Sequence, residues 1–282
     1  MRKAFTLELP GGRTIELGKR TAIIGVLNIT PDSFSDGGQN FEPVRAIDRA
    51  RELESEGADI LEVGGESTRP GATRLPVHEE LERVMPVLRG LSRHLRIPIA
   101  IDTYKSEVAA AAVEQGVVMI NDISALRFDP ALADVAARAG AILVLMHMRG
   151  EPANMQKIEP STDIFAEIET DLEQAVRQAE SRGVKHNQII VDPGIGFGKT
   201  LEQNLAIINH LDRFESFGLP LMIGTSRKSF IGKLTGRDAG DRLLGTAASV
   251  AATIIRGAHL VRVHDVKQMH DVARLTDALL AH

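Results

Sequence analysis

Polar side chains of the kinds that build active sites recur at one type of position in this sequence, where a short apolar run ends. They include carboxylates, side-chain amides, imidazoles and a lysine amine, which donate or accept hydrogen bonds and carry charge. The residues are Asn28, Asp102, Asn121, His147, Asp192, Lys228 and His264. Side chains so far apart in the chain share a site only if the preceding elements bring their ends together.

Eight short apolar runs, rich in Val and Ile, carry these residues. They span Thr21–Asn28, Asp59–Gly65, Ile97–Asp102, Val117–Asp122, Ala141–His147, Ile189–Asp192, Leu219–Lys228 and His259–Asp265. Segments of helical composition alternate with them, including Val44–Glu56, Glu107–Gln115, Asp129–Ala139, Asp163–Arg182 and Leu243–Arg256. Eight such units in about 250 residues predict an α/β fold, a (β/α)₈ TIM barrel. Active sites of that fold lie at the carboxyl ends of the strands, so we expect the polar residues to converge at one mouth and to serve an enzyme.

We expect one barrel domain over residues 19–282, preceded by an N-terminal hairpin over residues 1–18. Phe5–Leu17 is interpreted as two short strands around Pro10-Gly11-Gly12, a hairpin that could close the bottom of the barrel. Long connections follow the first, second and fifth strands, at Ile29–Asn40, Glu66–Pro76 and Met148–Pro160. Because they lie on the carboxyl side of their strands, we expect them to cover the active site.

Composition excludes several classes of protein. A net charge of −5 argues against non-specific nucleic-acid binding, and 4% aromatic residues with no Trp leave little for base stacking. The absence of Cys excludes disulfides and thiolate metal sites. The N-terminus lacks the apolar core of a signal peptide, and no run approaches the ~18 apolar residues of a membrane span. We therefore expect a cytoplasmic protein without membrane or nucleic-acid partners.

Several common catalytic motifs fail on inspection. GFGKT (Gly196–Thr200) ends like a phosphate-binding P-loop, but the position of the first Gly holds Pro193. His78-Glu79 begins like a zinc-protease helix, but the position of the second His holds Glu82. GTSRK lacks the Gly that a hydrolase nucleophile elbow requires after Ser226.

Strings at the strand ends carry a more specific signal. They are GVLNITPDSFSDGG (Gly25–Gly38), GGESTRPGA (Gly64–Ala72), IDTYK (Ile101–Lys105), IND (Ile120–Asp122), MHMRG with a following NMQ (Met146–Gln156), DPGIGFGKT (Asp192–Thr200), GTSRKSFIGKL (Gly224–Leu234) and RVHDV (Arg262–Val266). In this order and with these gaps, the chain resembles the dihydropteroate synthase family of pterin-binding enzymes over essentially its whole length. The resemblance implies a (β/α)₈ barrel, a homodimer and a transferase of folate biosynthesis. That transferase joins 6-hydroxymethyl-7,8-dihydropterin diphosphate to 4-aminobenzoate, releases diphosphate with the help of Mg²⁺, and is a target of sulfonamides.

The resemblance also implies site residues. The pterin would be bound by Asp102, Asn121, Asp192, Lys228, Glu62 and Met146, and 4-aminobenzoate by Thr68, Arg69, Pro70, Phe197 and Ser229. Diphosphate would be bound by Asn28, Arg69, Arg262 and His264, with Asn28 as the protein ligand of Mg²⁺. Catalysis would be carried by Asp102, Lys228, Asn28, Arg262 and His264. Departure of diphosphate leaves a cation-like methylene, and the Asp102 carboxylate would lie near it.

Single residues leave structural alternatives open. An Asp after a barrel strand is commonly a helix N-cap, which applies to Asp102 and more weakly to Asp192. The family commonly has Asp where this chain has Glu62, so the longer side chain puts its role in question. For His147 we expect a buried imidazole with satisfied hydrogen bonds.

Two other functions remain as alternatives. One is a methyltransferase acting on methyltetrahydrofolate, which also grips a pterin with acidic and amide side chains. The other is a pterin-binding paralogue without catalysis. The TRPG and SRKS strings favour the synthase, and nothing in the sequence indicates a cobalamin module.

Overall fold

A ring of parallel strands forms the centre of the computed structural model, which describes residues 2–29 and 42–282. The strands are β3 (Ala22–Asn28), β4 (Ile60–Gly64), β5 (Ile99–Asp102), β6 (Met119–Asp122), β7 (Ile142–Met146), β8 (Ile189–Asp192), β9 (Met222–Ile223) and β10 (Leu260–Val263). Their order in the sheet is β8-β7-β6-β5-β4-β3-β10-β9. A parallel bridge between Val191 and Leu221 joins β8 to β9 and closes the ring, as the sequence predicted for a (β/α)₈ barrel.

Helices cover the outside of this ring. Those described are α1 (Glu42–Ser55), α2 (Val77–Leu91), α3 (Ser106–Glu114), α4 (Leu132–Ala139), α5 (Ile164–Ser181), α6 (Leu201–Asn209), α7 (Ser229–Thr235), α8 (Leu243–Ile255) and α9 (Val266–Leu280). The largest apolar cluster lies between helices and strands and includes Leu53, Val84 and Leu172, all fully buried. Of the helices that the structure describes, none is long and apolar enough to cross a membrane.

The inside of the barrel is apolar at one end and polar at the other. Successive side chains of a strand alternate between the two faces. Ile24, Ala100 and Leu260 therefore belong to the inner apolar cluster near the amino ends of their strands. Two residues further along two of these strands, the same face carries Asp102 and Arg262. The register aligns Asn28 with Gly64, Gly64 with Asp102, and Asp102 with Asn121, so these residues lie at one level of the barrel.

The predicted N-terminal hairpin is confirmed. Strands β1 (Phe5–Glu8) and β2 (Thr14–Leu17) pair antiparallel around the short helical turn Pro10–Gly12. Leu7, Leu9 and Leu17 are buried against the inner cluster at the amino ends of the barrel strands. The hairpin thus closes the end opposite the polar mouth.

Several predicted boundaries differ from those of the structure, two of them at the active-site end, and most of one predicted connection lies outside the described residues. The run Leu219–Lys228 forms a strand only at Met222–Ile223, because the chain turns after it, with Arg227 at φ 57° and Lys228 N–H donating to the Thr225 carbonyl at 3.2 Å. The strand predicted at His259–Asp265 ends at Val263, which puts His264 just beyond it. Of the predicted connection Ile29–Asn40, only Ile29 is described.

Candidate active site

An arginine bridges two carboxylates inside the barrel mouth. Arg262 Nε donates to Glu62 Oε1 at 2.5 Å, and Arg262 Nη2 donates to Asp102 Oδ2 at 2.8 Å. The three residues come from β10, β4 and β5, so the network joins strands that are not all neighbours. Asp102 is therefore not an N-cap: the residue at the N-cap of α3 is Lys105, and the Asp102 carboxylate binds Arg262 instead.

Asn121 is oriented by the same network. Its Nδ2 donates to Glu62 Oε2 at 2.9 Å. A carboxylate only accepts, so the amide must turn its NH₂ group toward Glu62 and its oxygen away. That oxygen, Asn121 Oδ1, is buried and has no hydrogen-bond partner within the described part of the chain. Because buried acceptors are nearly always paired, we interpret this oxygen as a contact for a ligand's N–H.

Burial and neighbouring charges set the proton affinity of this network. Burial, followed by the negative charge of Glu62, raises the pKa of Asp102 to about 7, although Arg262 opposes the shift. Burial lowers the pKa of Arg262, but the carboxylates of Glu62 and Asp102 outweigh it, and the net pKa lies above its usual value. With Asp102 ionised, two carboxylates face one guanidinium. The network then carries excess negative charge at the mouth.

Asp192 lies at the end of β8 in a turn that fixes its carboxylate. Oδ1 accepts from the Gly194 N–H at 2.7 Å. Gly194 has φ +69°, and a Cβ on it would lie 1.8 Å from the His147 carbonyl oxygen, so only glycine fits. Burial raises the pKa of Asp192, and the Lys228 ammonium and the Gly194 N–H oppose that shift. The N-cap of α6 is Thr200, so Asp192 is not a cap either.

Lys228 brings an ammonium group to the same mouth. Its Nζ donates to the Ile195 carbonyl and lies 4.7 Å from the centre of the Phe197 ring. Burial lowers the pKa of Lys228 to about 8, opposed by the nearby carboxylates of Asp192 and Asp102. Phe197 in turn packs in an apolar cluster that includes Met146, at the end of β7. These contacts and charges bring five predicted site residues together at the mouth: Lys228, Phe197, Met146, Asp192 and Asp102.

Asn28 faces a gap left by glycine in the neighbouring strand. A Cβ on Gly64 would lie 3.6 Å from Asn28 Oδ1 and 3.8 Å from Asp102 Oδ2. An amide oxygen and a carboxylate oxygen thus border the same side-chain-free space. Hard oxygen donors of this type suit Mg²⁺, which keeps most of its ligands as water or phosphate oxygens. Asn28 Oδ1 is a donor of this type, whereas Asp102 Oδ2 already accepts from Arg262, so Asn28 is the residue that would hold the predicted Mg²⁺.

His264 and its neighbours form a second polar group at the mouth. His264 Nδ1 lies 3.0 Å from Ser226 Oγ, and the His264 N–H donates to the same oxygen at 3.2 Å. Arg227 forms a two-pronged ion pair with Asp265, at 2.5 and 3.0 Å. Burial, then the charges of Arg262 and Arg227, lowers the pKa of His264 to about 4. Near neutral pH the imidazole is therefore a neutral hydrogen-bonding group.

The second connection carries Thr68, Arg69 and Pro70 above the mouth, with Arg69 and Pro70 exposed. It touches the connection after β7, where Gly71 N–H donates to the Pro152 carbonyl at 2.8 Å. Ser229 is exposed at the first residue of α7. The contact of these four residues with 4-aminobenzoate stays a prediction.

We expected both ring nitrogens of the buried His147 to be hydrogen-bonded, and among the described residues only Nδ1 is. The imidazole is buried, and Nδ1 lies 2.9 Å from Lys199 Nζ, but Nε2 has no hydrogen-bond partner among the residues described and lies 3.5 Å from Asp171 Oδ2. Glu167 completes a cluster of metal-ligand types around Nε2. Lys199 places positive charge beside the imidazole, and Arg149 already pairs with Glu167 at 2.8 Å. These contacts argue against a metal there.

Sequence reasoning missed Lys199, which supports the loop between β8 and α6. Its Nζ donates to the Gly194 carbonyl at 2.9 Å and the Phe197 carbonyl at 3.2 Å, in addition to His147. Burial lowers the pKa of Lys199 to about 7, opposed by Asp192. The sequence offered two signals for it, the GFGKT string that fails as a P-loop and the longer DPGIGFGKT string of the family resemblance, but neither indicated a role for the lysine itself.

Comparison with known proteins points to one family. Residues 24–264 match the family model described as "Pterin binding enzyme". The chain is 45% identical over 277 residues to the dihydropteroate synthase of Synechocystis sp., covering 98% of this chain and 96% of that protein.

Solved structures agree. A Xanthomonas albilineans dihydropteroate synthase with 4-aminobenzoic acid superposes with a TM-score of 0.92 at 40% identity, covering 99% of this chain and 100% of the other. A Yersinia pestis dihydropteroate synthase in a sulfonamide drug complex gives a TM-score of 0.91 at 35% identity and the same coverage. With the barrel and the strand-end residues described above, these matches show that the chain belongs to the pterin-binding enzymes and, among them, to the dihydropteroate synthase family.

Proposed function

We propose that this protein joins 6-hydroxymethyl-7,8-dihydropterin diphosphate to 4-aminobenzoate, forming 7,8-dihydropteroate and diphosphate. The observation that carries the proposal is the buried Oδ1 of Asn121, which lies at the same level of the barrel as Asp102 and has no hydrogen-bond partner in residues 2–29 and 42–282. A pterin presents ring N–H and amino groups side by side. An outward amide oxygen and the Asp192 carboxylate are acceptors suited to that edge, and Lys228 is a donor for the ring carbonyl.

The carboxylates at the mouth suit a reaction in which positive charge develops on the substrate. When the bond between the methylene carbon and the diphosphate oxygen breaks, positive charge develops on the methylene. At roughly 4 Å and an effective dielectric constant of about 20, a carboxylate stabilises a unit positive charge by about 4 kcal/mol. Only the part of this interaction that grows toward the transition state accelerates the reaction. Asp102 supplies that charge, and Arg262 holds the carboxylate in place through its 2.8 Å bond.

Cations and neutral donors at the mouth would bind the leaving group. Arg69 lies on an exposed loop, and His264 supplies a neutral imidazole. Asn28 would hold Mg²⁺ through Oδ1, and the ion would neutralise charge on the departing diphosphate. In Arg262, Nε and Nη2 already donate to Glu62 and Asp102, so its predicted contact with diphosphate would have to use the remaining Nη1.

A homodimer and a cytoplasmic location are part of the proposal. Helices α8 and α9 pack against each other and expose large apolar side chains, with Leu244 85%, Leu275 64% and Leu279 71% exposed. Leu275 and Leu279 lie four residues apart on one face of α9, and exposed apolar surface of this kind is typical of subunit interfaces. A Leu275→Glu, Leu279→Glu double variant should sediment as a monomer if these helices form the interface, whereas an unchanged sedimentation coefficient would exclude them.

Substitution of two site residues tests the proposal. Asp102→Ala removes the charge beside the reacting carbon, and Lys228→Ala removes the donor for the pterin carbonyl. Each should lower turnover by at least about tenfold. Sulfonamides, as mimics of 4-aminobenzoate, should inhibit the wild-type enzyme competitively with that substrate. Wild-type turnover in both variants would contradict the assigned roles.

The two alternatives predict different results in the same experiments. A methyltransferase would consume methyltetrahydrofolate and release no diphosphate. A non-catalytic paralogue would bind the pterin without turnover. Both substrates are therefore tested with the wild-type protein before the variants are compared.

A further inference from the structure

A buried lysine with two glutamates lies beneath the second connection, outside the site described above. Lys105 Nζ lies 2.5 Å from Glu66 Oε2 and 2.5 Å from Glu80 Oε2. Glu66 is the second residue after β4, Lys105 lies at the N-cap of α3, and Glu80 is in the first turn of α2. The side chains are 7%, 11% and 1% exposed, respectively, so solvent screens this network weakly.

The Glu66 carboxylate joins the two ends of that connection. Glu66 opens the segment Glu66–Pro76, and its Oε2 also accepts from the Leu75 N–H at 3.0 Å, near the segment's other end. Its other oxygen, Oε1, accepts from the Tyr104 hydroxyl at 2.8 Å. One carboxylate therefore ties the start of the loop, the end of the loop and the segment after β5 together.

Helix α2 fits closely against this clamp. A Cβ on Gly65 would lie 2.7 Å from Val84 Cγ1 and 3.0 Å from Glu80 Cγ, so a glycine is required for the approach. Glu80 Oε1 is buried without a hydrogen-bond partner in the described ranges, and burial raises the pKa of Glu80 although Lys105 opposes the shift. Lys105 lies equally close to both carboxylates, and of the two it is Glu66 that also bonds to the loop through the Leu75 N–H.

The tip of the loop has a separate anchor. Gly71 N–H donates to the Pro152 carbonyl at 2.8 Å, and Arg74 stacks over the Phe128 ring at 4.3 Å. Thr68, Arg69 and Pro70 lie between the clamp and this anchor. Their position relative to the mouth is therefore fixed at the base by Glu66 and at the tip by the neighbouring connection.

We propose that Glu66, held by Lys105, is a positioning residue that sets the pose of the loop Ser67–Arg74 and thereby the binding of 4-aminobenzoate. This inference rests on the proposed function, because it takes Thr68–Pro70 as part of the 4-aminobenzoate pocket. Glu66 is not expected to touch either substrate. Its loss should move one substrate's kinetics and leave the other's unchanged.

Steady-state kinetics of Glu66→Gln and Lys105→Met separate the two substrates. A displacement of the loop by about 1 Å should raise KM for 4-aminobenzoate about tenfold or more in both variants. The dissociation constant for a pterin that lacks the diphosphate, measured by calorimetry, should stay within about twofold of wild type. That pterin measurement also shows that each variant is folded. Glu169→Gln, which removes a partly exposed carboxylate of α5 that pairs with Arg213, is the matched control and should change neither constant.

Each outcome decides between the proposals. If the wild-type enzyme forms dihydropteroate and both variants keep its KM for 4-aminobenzoate, the positioning role is wrong while the proposed function stands. If KM for 4-aminobenzoate and the dissociation constant for the pterin rise equally, Glu66 and Lys105 stabilise the structure in general and do not position the loop. If the wild-type enzyme forms no product, the proposed function itself fails. Partial recovery of KM in Lys105→Arg, which restores the cation, would support the ionic clamp.

Discussion

Replacement of Glu62 by glutamine should weaken pterin binding by reversing the amide of Asn121. In the native protein both Glu62 oxygens accept: Oε1 from Arg262 at 2.5 Å and Oε2 from Asn121 Nδ2 at 2.9 Å. Glutamine offers one acceptor and one NH₂ group. Arg262 only donates and takes the acceptor, so the new NH₂ would face the NH₂ of Asn121. The amide must turn over to avoid two facing donors.

The turned amide would present a donor where the pterin also presents a donor. An acceptor for the ligand is lost and two N–H groups are left facing each other in a buried site. Leaving a buried polar group unpaired costs about 1–3 kcal/mol, which corresponds to a rise of roughly 5- to 150-fold in the dissociation constant. The shape of the side chain is unchanged, so little of this effect can come from packing.

Calorimetric titration with a hydroxymethylpterin that lacks the diphosphate measures this rise in the dissociation constant without contributions from phosphate contacts. Glu62→Asp is the matched control, because it keeps the charge and both acceptors and is the residue common in the family. Its loss of affinity should be smaller than that of Glu62→Gln. Binding by Glu62→Gln within about twofold of wild type would refute the inference that Glu62 orients Asn121.

Two further predictions concern pH. Charged Lys228 donates more strongly to the pterin carbonyl than the neutral amine does, and burial lowers its pKa to about 8, so kcat/KM should fall as pH rises through that value. Lys228→Arg, which stays charged, should move this alkaline limb to higher pH, and an unmoved limb would assign it to another group. Asp102 has a folded-state pKa raised to about 7, so its contribution to stability is greatest below its unfolded pKa and is lost as pH rises toward 7. Urea denaturation should therefore show the unfolding free energy of wild type falling relative to that of Asp102→Asn between acid and neutral pH, and parallel profiles would contradict the raised pKa.

The barrel and its polar mouth were predictable because two short-range rules suffice for them. Side chains alternate along a strand, and the carboxyl ends of parallel strands meet at one edge. Asp102, Asn121 and Asp192 therefore had to lie together once the strands were found. The hairpin that closes the opposite end followed in the same way from the turn at Pro10–Gly12.

What escaped prediction depends on contacts between distant segments. Glu66 and Lys105 are separated by 39 positions, and nothing local to either string indicates that they pair. Lys199 and His147, separated by 52 positions, are a similar case. Strand β9 is short for a local reason that periodicity misses, since the apolar run continues into a turn with Arg227 at positive φ.

The bridging role of Glu62 was left open by its departure from the family's common residue. The sequence showed only that the charge was kept and the side chain lengthened. In the structure the carboxylate spans Arg262 and Asn121, with one oxygen on each. Whether a carboxylate reaches two partners depends on the spacing of three strands, which sequence alone does not provide.

Product formation tests most directly whether the residues at this mouth carry out the condensation. Diphosphate and dihydropteroate would be quantified from dihydropterin diphosphate with Mg²⁺, in the presence and absence of 4-aminobenzoate. The account predicts dihydropteroate formed in step with diphosphate when the amine is present. Pterin binding without dihydropteroate would contradict the account and indicate a non-catalytic pterin-binding protein, and no binding at all would mean that the strand-end residues do not form a pterin site.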